Sequence, residues 1–244
     1  MARRFYDLLV SFKLVEEMGE LVLLRAEQLG FRGIGIGISI ERFLENSGRY
    51  FSTIKAFRRY AEQRDLDVIS RLVVDKPVSV SRLKGLLKKW RRKFELISVH
   101  ATERSLTAFA SRDSRIDLLT LTSKTRIMRG DVDYVKSLEK KLELLLSPLQ
   151  RGSLSSRAFV VASYRALLSL IRKKNLVNNL IVSSGAGRIE EMRDPRSIAS
   201  LMHVLGLEYG EALNALSSNP LNLVRENREK LRGVIAARGV RILE

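Results

Sequence analysis

Short apolar runs alternate with longer amphipathic stretches along most of the chain. Seven of the apolar runs have the length and composition of β-strands, and they lie at 5–12, 32–40, 66–75, 94–101, 116–122, 141–149 and 176–184. The stretches between and after them predict helices at 16–29, 50–64, 79–93, 102–112, about 131–139, 154–174, 195–205, 208–217 and 220–231. The tail GVRIL is predicted to be either a short strand or disordered.

This alternation predicts a parallel sheet, because consecutive strand–helix–strand units pack with right-handed crossovers. A closed barrel and an open doubly wound sheet both fit strands that are rich in β-branched residues and buried on both faces. No linker, low-complexity segment or convincing repeat interrupts the pattern. Residues 1–244 are therefore predicted to form one α/β domain, since α/β barrels reach ~250 residues as single units.

Basic charge is concentrated in the middle of the chain. The sequence has 44 Lys and Arg residues against 27 Asp and Glu, a net charge of +17. Residues 76–129 hold fourteen of these cations and four of the acids, a net charge of +10. A polyanionic partner is favoured, because each phosphate that a protein neutralises releases counterions. The alternative is a basic surface that serves solubility alone.

Cysteine usage and the N-terminal residues bear on the compartment. The chain has no cysteine, which excludes disulfides, thiolate metal sites and a cysteine nucleophile and fits a reducing compartment. Its first apolar stretch is short and interrupted by Asp7 and Lys13, unlike a signal peptide. No apolar run reaches the ~18 residues needed to span a bilayer. We therefore expect a cytoplasmic protein without a membrane partner.

The first of two glycine-rich stretches is GIGIG, residues 33–37. A dinucleotide-binding fingerprint starting with Gly33 and Gly35 would need glycine at position 38, which is Ile38. The glycines also alternate with isoleucines inside a predicted strand instead of forming a turn after it. We expect them to let neighbouring side chains or a helix approach the strand closely.

The second glycine-rich stretch is SSGAGR, residues 183–188, and it follows a predicted strand. It should lie at the C-terminal face of a barrel, where binding sites concentrate. Its backbone N–H groups, its serine hydroxyls and Arg188 could hold a phosphate, although it lacks the Gly-Lys-Ser/Thr ending of a nucleotide P-loop. A plain strand–helix connection is the alternative. Asp194 and Pro195 predict the start of the following helix.

Candidate catalytic residues are few. The chain has two histidines, His100 at a strand end and His203 within a helix, and no HxH, HExxH or Gly-x-Ser-x-Gly motif. A Ser–His–acid triad from distant positions stays open. A barrel phosphoesterase would have to use Asp7, Asp75, His100 and Glu103, which lack metal-ligand spacing.

Residues 79–93 predict an amphipathic helix with a basic outer face. Leu83, Leu86, Leu87 and Trp90 share one side, which favours packing against a barrel. The indole is therefore expected to face the core instead of stacking on bases. The outer face suits RNA or protein contact better than an anionic membrane.

Cations also follow the predicted strands, so their side chains should converge on the C-terminal face of the barrel. We expect a phosphate-binding plateau there, to which arginine contributes bidentate hydrogen bonds. Aromatic residues make up 7% of the chain and are not interleaved with these cations, which favours recognition of the backbone and shape of folded RNA. The predicted phosphate contacts are Lys76, Arg104, Lys124, Arg126, Arg157 and Arg188.

Four segments have a distinctive order and spacing: FYDLLV, LGFRGIGI, SVHATERSLTAFASRDSRIDLLTLTS and IVSSGAGRIEEMRDPRSIASLMHVLGLEYGEALNALSSNPLNLVREN. Together they resemble ribonuclease P protein component 3, the archaeal counterpart of the eukaryotic thirty-kilodalton ribonuclease P subunit. Nearly the whole chain takes part in the resemblance. It implies a distorted TIM-like (β/α) barrel with extra C-terminal helices, related to phosphoesterases of the polymerase/histidinol phosphatase (PHP) type.

The resemblance also implies a function without chemistry by the protein itself. Family members join a catalytic RNA that removes the 5′ leader from precursor tRNA, with Mg²⁺ required by the RNA and no cofactor bound by the protein. They bind ribonuclease P protein component 2 directly, alongside components 1 and 4. The phosphoesterase relatives need an HxH near the first strand, where this chain has Asp7-Leu8-Leu9. A PHP-type metallophosphoesterase and a scaffold that binds proteins alone are the alternatives.

Overall fold

The structure is a computed structural model that describes residues 3–125, 127–237 and 240–241. Seven strands form one sheet and confirm all seven predicted strands to within a few residues at each end. Their bounds are β1 Phe5–Ser11, β2 Phe31–Ser39, β3 Asp67–Val74, β4 Leu96–His100, β5 Leu118–Leu121, β6 Lys141–Leu145 and β7 Leu180–Ser183. Every strand pairs in parallel with the next strand along the chain, so the sheet order is the chain order.

Helices connect the strands and extend beyond the last one. They are α1 Phe12–Met18, α2 Leu21–Gln28, α3 Ile40–Glu45, α4 Ser47–Glu62, α5 Val80–Trp90, α6 Arg104–Arg112, α7 Arg129–Ser137, α8 Ser147–Gln150, α9 Leu154–Lys173, α10 Pro195–Val204, α11 Tyr209–Ala215 and α12 Ser218–Arg232. A short antiparallel pair follows, β8 Ile235–Ala237 and β9 Val240–Arg241. The prediction of a strand in GVRIL is confirmed for 240–241, and the rest of that segment lies outside the described residues.

Two predicted elements differ in detail from the structure, and α3 was not predicted. The predicted helix 16–29 is two helices, because Gly19 adopts a φ of 55° and ends α1. The predicted strand 141–149 stops at Leu145, and Pro148 lies in the first turn of α8, where its missing N–H group costs nothing. The sequence analysis also missed α3, which begins directly at the end of β2 with Ser39 as its N-cap.

The barrel closes between β7 and β1 through a short seam. Val10 forms a single parallel bridge with Ala186, and the Ser11 nitrogen donates to the Ala186 carbonyl over 2.8 Å. Along β1, Asp7 pairs with Ile34 while Val10 pairs with Ile36, so β1 contains one extra residue relative to β2. This bulge accompanies the placement of Leu8 and Leu9 in two separate inner clusters of the barrel.

The glycines of β2 face the inside of the barrel, as their close contacts show. A Cβ atom on Gly35 would lie 2.2 Å from the Leu8 carbonyl oxygen, and one on Gly33 would lie 2.2 Å from the Tyr6 ring. The alternating isoleucines Ile34, Ile36 and Ile38 instead belong to the main core under the helices. The prediction that these glycines allow close approach is confirmed, and the dinucleotide alternative has no structural support.

The C-terminal helix α12 covers the amino ends of the strands. Leu223 and Val224 pack against an inner apolar layer made by Tyr6, Leu8, Ile69, Leu96, Leu118 and Ile181. The Asn227 amide donates to the Glu95 carbonyl over 2.9 Å, and the Asn219 amide donates to the Leu180 carbonyl over 2.7 Å. With this end closed, the carboxyl ends of the strands form the open face, which we call the mouth.

Candidate functional site

The SSGAGR loop lies at the mouth after β7. Its backbone N–H groups that could bind an anion instead bind the carboxylate of Glu191. Glu191 Oε2 accepts the Gly187 N–H over 2.8 Å and the Arg188 N–H over 3.2 Å. The Arg151 guanidinium binds both oxygens of the same carboxylate. Arg151, the Gly187 N–H group and the Arg188 side chain hold the pKa of Glu191 down at about 2. The loop therefore binds an internal carboxylate where a phosphate cradle would need free N–H groups.

The serines of this loop are also committed to the barrel. Ser183 Oγ donates to Glu143 Oε1 over 2.7 Å inside the lumen. The Ser184 nitrogen donates to Asp7 Oδ1 over 2.9 Å, and Ser184 Oγ donates to the Leu9 carbonyl over 3.2 Å. The two Ser184 bonds connect the end of β7 to β1. The loop consequently serves as a strand–helix connection that completes the barrel, and the predicted start of the next helix is confirmed by the Asp194 cap on α10.

An ion pair fills the middle of the barrel lumen. Arg71 Nη1 lies 2.7 Å from Glu143 Oε1, Arg71 Nη2 lies 2.5 Å from Glu143 Oε2, and both side chains are fully buried. Arg71 also donates to Ser98 Oγ and to the Leu8 carbonyl, while the Thr120 hydroxyl donates to Glu143. The guanidinium lowers the pKa of Glu143 against the opposing effect of burial.

The lumen is closed on both sides of this ion pair. Leu9, Val73 and Leu145 form a small apolar cluster on the mouth side of it. The apolar layer that α12 covers lies on the other side. The layers follow from strand alternation, because residues two apart on a strand, such as Ile69, Arg71 and Val73, point to the same face. The axis of this barrel is therefore filled by packed side chains, as in TIM barrels generally, which leaves the mouth as the place for a ligand.

The four side chains of the phosphoesterase alternative do not assemble a metal site. Asp7 accepts two backbone N–H groups, from Ser184 and Leu9, and burial raises its pKa to about 6. His100 is largely buried, burial lowers its pKa, and its Nε2 has no hydrogen-bond partner in the structure. Across the described ranges, no group of three or more His, Asp and Glu side chains could hold a metal ion.

Three of the six predicted phosphate contacts lie within ion-pair distance of carboxylates at the mouth, and Lys76 and Arg104 are two of them. Lys76 Nζ lies 2.5 Å from Glu41 Oε2, and both side chains are exposed. Arg104 Nη1 donates to Asp131 Oδ2 over 2.6 Å, and the same carboxylate accepts the Met128 N–H. Arg104 thus helps to hold the loop between β5 and α7, in addition to presenting charge.

The other predicted contacts have different environments. Arg188 is largely exposed, and its Nε lies 3.2 Å from Glu191 Oε1. Lys124 and Arg157 are exposed, and neither makes an ion pair with another described residue. Arg126 lies outside the described residues. Lys124, Arg157 and Arg188 come after the carboxyl ends of β5, β6 and β7, as predicted. Their contact with phosphates stays a prediction.

The basic helix α5 packs as its pattern predicts. Leu83 and Leu87 are buried, and the Trp90 ring meets the Phe43 ring edge-on at 5.0 Å between centroids. The prediction that the indole faces the core is confirmed. The outer face presents cations to solvent, namely Arg82, Lys84, Lys88 and Lys89.

Helix α9 has the length and composition of a membrane span, the one such helix within the described residues. These criteria alone are weak evidence, since core helices of soluble proteins also meet them. Val160, Tyr164, Leu168 and Ile171 are buried, and the Tyr164 hydroxyl donates to the Leu145 carbonyl over 2.9 Å. We therefore interpret α9 as a helix that packs on the barrel.

A family model decides the relationship of this chain to known proteins. The model described as RNase P subunit p30 matches residues 4–232. The chain belongs to this family. The resemblance described from the sequence is thereby confirmed, and the chain is a protein subunit of ribonuclease P.

Similar proteins agree with this assignment over nearly full length. The chain is 27% identical over 248 residues to ribonuclease P protein component 3 of Methanococcoides burtonii, covering 99% of this chain and 95% of that protein. It is 27% identical to component 3 of Methanothermobacter thermautotrophicus, covering 91% and 89% of the two chains. The similarity therefore extends over most of both chains in each comparison.

Two solved structures share the fold. A chain of archaeal ribonuclease P with mature tRNA superposes with a TM-score of 0.77 at 18% identity, covering 92% of this chain and 94% of that chain. A putative 2-pyrone-4,6-dicarboxylic acid hydrolase from Pseudomonas putida superposes with a TM-score of 0.54 at 14% identity, covering 92% and 98%. The predicted TIM-like barrel is confirmed.

Sequence reasoning missed two ion pairs of the site region, Arg71 with Glu143 and Arg151 with Glu191. The first had a visible signal, because each of the two is a charged residue within a mostly apolar part of its predicted strand. The Arg151–Glu191 pair gave no signal in the sequence, because the two residues are 40 positions apart and belong to different loops.

Proposed function

We propose that this subunit binds the catalytic RNA of ribonuclease P and supports removal of the 5′ leader from precursor tRNA without contributing a reaction centre. The match to RNase P subunit p30 over residues 4–232 is the observation that carries this proposal. Arg71 and Glu143 neutralise each other on the barrel axis, between two apolar layers. At the mouth, where barrel enzymes bind substrates, Asp7 and Glu191 accept N–H groups of the chain itself.

The contribution of the protein is positive charge on a rigid frame. RNA-bound Mg²⁺ would carry out the hydrolysis, with no cofactor held by the protein. Cations that lie against phosphates reduce repulsion between RNA segments, so less Mg²⁺ is needed to hold the RNA fold. At the mouth we assign this role to Lys124 and Arg157 first, because they make no ion pair within the described residues.

The same mouth set includes Lys76, Arg104 and Arg188. Their carboxylate partners reduce the net charge they offer to phosphates, but each of the three keeps an exposed side chain. Arginine presents five donors, so Arg104 and Arg188 can bind a phosphate while retaining one carboxylate contact. Arg126 completes the proposed set.

The proposed partners follow from the family. They are ribonuclease P RNA, precursor tRNA, component 2 by direct contact, and components 1 and 4 in the holoenzyme. An open groove of about 580 Å³ offers one surface for a protein partner, between the β5–α7 loop and α9. Apolar side chains line it, among them Ile127, Met128, Leu167 and Leu170. We further propose a cytoplasmic location in an archaeal cell.

Reconstituted cleavage of precursor tRNA tests the function directly. Ribonuclease P RNA with component 2 is assayed at moderate Mg²⁺, with and without this subunit. We expect faster cleavage with the subunit and convergence of the two rates as Mg²⁺ is raised. Equal rates at every Mg²⁺ concentration would contradict the proposal.

A further inference from the structure

The flank of the barrel carries a second basic site, in a groove of about 340 Å³ that the mouth loops do not line. One wall of this groove is α4, and the other includes Lys93 from the 3₁₀ turn Arg91–Lys93 that follows α5. Ser70 of β3 and the apolar side chains Phe51 and Ile54 complete the lining.

Four cations line this flank groove. Lys55, Arg58 and Arg59 lie on one side of α4, because they are spaced three and four residues apart. Lys93 joins them from the opposite wall. Glu62 is the one acid of the lining, which leaves a formal charge of +3. Within the described part of the chain, Lys55, Arg59 and Lys93 make no ion pair.

A buried carboxylate fixes the fourth cation. Arg58 Nη2 lies 2.5 Å from Glu95 Oε2, and Arg58 Nε donates to the Val68 carbonyl over 3.2 Å. Glu95 is itself held by the Ser70 N–H at 2.7 Å and by Arg228 Nε at 2.6 Å. The guanidinium is thus positioned before any ligand arrives, which lowers the entropy lost on binding.

The flank and the mouth differ in how far their charge is already neutralised. At the mouth, Lys76, Arg104 and Arg188 each lie within ion-pair distance of a carboxylate. On the flank, Arg58 pairs with Glu95 and Arg91 pairs with Asp117. Lys55, Arg59 and the other six Lys and Arg of residues 79–93 make no ion pair with a described residue. Unpaired cations attract a polyanion more strongly, because no internal partner must be displaced or shared.

The extent of this charge favours a long polyanion. The cations continue from the groove along the outer face of α5, through Arg92, Lys89 and Lys88, all exposed. A small anion would use one end of such a row. A membrane surface would need exposed apolar side chains, and none of the groove-lining residues is an exposed large hydrophobic.

We propose that the flank groove binds the sugar–phosphate backbone of an RNA strand, with Lys55, Arg59 and Lys93 contacting consecutive phosphates and Arg58 orienting the strand. This site rests on the proposed RNA-binding function and adds a second contact surface to the mouth. The strand would continue across the outer face of α5.

Charge reversal tests the flank groove. The triple variant Lys55→Glu, Arg59→Glu, Lys93→Glu is compared with a control, Lys136→Glu, Arg165→Glu, Arg225→Glu, whose positions are also exposed. Both triples lower the net charge equally, so the comparison isolates location. Filter binding to in vitro transcribed ribonuclease P RNA of the same organism is measured over a salt series. The flank triple should bind on the order of 100-fold more weakly, with a slope of log K against log salt reduced by about 2–3.

The controls separate folding from binding. Thermal melting followed by circular dichroism should match the parent for both triples, since all six side chains lie on the surface. If the Glu triple melts early, the Gln version Lys55→Gln, Arg59→Gln, Lys93→Gln removes the charge without adding repulsion. It should still lower the salt slope by about 2 or more.

A chemical probe locates the RNA independently of affinity. The chain has no cysteine, so one introduced thiol gives a single attachment point for iron–EDTA. Ala56→Cys places the probe on the exposed side of α4, and Ser169→Cys places it on the exposed side of α9, about 18 Å along the helix from Arg157, as a matched control. We expect discrete hydroxyl-radical cleavage of the RNA from Ala56→Cys and weaker, diffuse cleavage from Ser169→Cys.

The outcomes distinguish this site from the proposed function. If the parent binds RNA with a steep salt dependence and the flank triple binds identically, the flank site is wrong while RNA binding stands. If the parent shows no salt-dependent affinity for the RNA, both proposals fail. Selective loss in the flank triple, with cleavage from position 56, supports both.

Discussion

The Ser184 backbone nitrogen donates to Asp7 Oδ1 over 2.9 Å, and this bond joins the last strand of the barrel to the first. The same oxygen accepts the Leu9 N–H at the β1 bulge, over 3.2 Å. The seam has one backbone bridge, between Val10 and Ala186. The Asp7 carboxylate therefore accepts N–H groups that backbone carbonyls would accept in a regular strand ladder. Burial of the carboxyl raises its pKa to about 6.

The buried Asp7 carboxyl predicts a specific pH dependence of stability. In the unfolded chain this group loses its proton near its ordinary pKa of 3.8, and in the folded chain its pKa is about 6. The folded state therefore holds an extra proton between these values, and its stability falls as pH rises through this window. The fall is on the order of 3 kcal/mol, from about 1.4 kcal/mol per pKa unit.

Asp7→Asn tests this relationship. Asparagine keeps a carbonyl oxygen that can accept from Ser184, but it does not titrate. Urea unfolding at several pH values between about 4 and 7 should show that the stability of the variant relative to the parent rises with pH. A constant difference across this range would show that Asp7 does not titrate abnormally.

Glu191 predicts the opposite dependence. Its pKa is lowered to about 2 by Arg151, the Gly187 N–H group and the Arg188 side chain, so its contribution is present above its ordinary pKa of 4.5 and is lost as pH falls toward 2. Glu191→Gln removes the charge and should cost on the order of 3 kcal/mol at neutral pH. Chemical denaturation measures this loss. The exposed neighbour Glu190→Gln is the control and should change stability by less than about 0.5 kcal/mol.

The Arg71–Glu143 pair predicts that substitutions of the two residues change the free energy of unfolding non-additively. Arg71→Met leaves a buried, unpaired carboxylate and should cost about 3–5 kcal/mol, whereas Arg71→Met with Glu143→Leu should recover much of that loss. A double-mutant cycle by equilibrium unfolding gives the coupling energy. Additive losses from the two single changes would contradict a directly coupled pair. RNA binding by the double variant should stay close to the parent, since the lumen makes no proposed contact.

Local signals in the sequence predicted the elements well. Asp194-Pro195 gave the start of α10 because capping depends on a few adjacent residues. The predicted end of β6 was wrong. A continuous apolar run such as KLELLLSPL has no periodicity that separates a strand from the following turn and short helix.

Long-range pairing explains why the site was less predictable. Arg71 and Glu143 are 72 positions apart, and their contact depends on strand register and inward orientation. The cations of the mouth were correctly placed at strand ends. Their neutralisation by Glu41, Asp131 and Glu191 was missed, because those acids come from other loops and helices. The family resemblance, in contrast, depends on residue order along the chain, which the sequence contains in full.

The unpaired cations of the mouth give the last prediction. Lys124→Glu with Arg157→Glu should lower the slope of log K against log salt for ribonuclease P RNA by about 1.5–2, because two phosphate contacts are lost. Lys76→Gln should have a smaller effect, since Glu41 already neutralises that ammonium group. Filter binding over a salt series measures both slopes, and thermal melting verifies that the barrel is intact. An unchanged slope for the double variant, together with a lowered slope for Lys76→Gln, would show that ion pairing within the protein does not determine which mouth cations contact RNA.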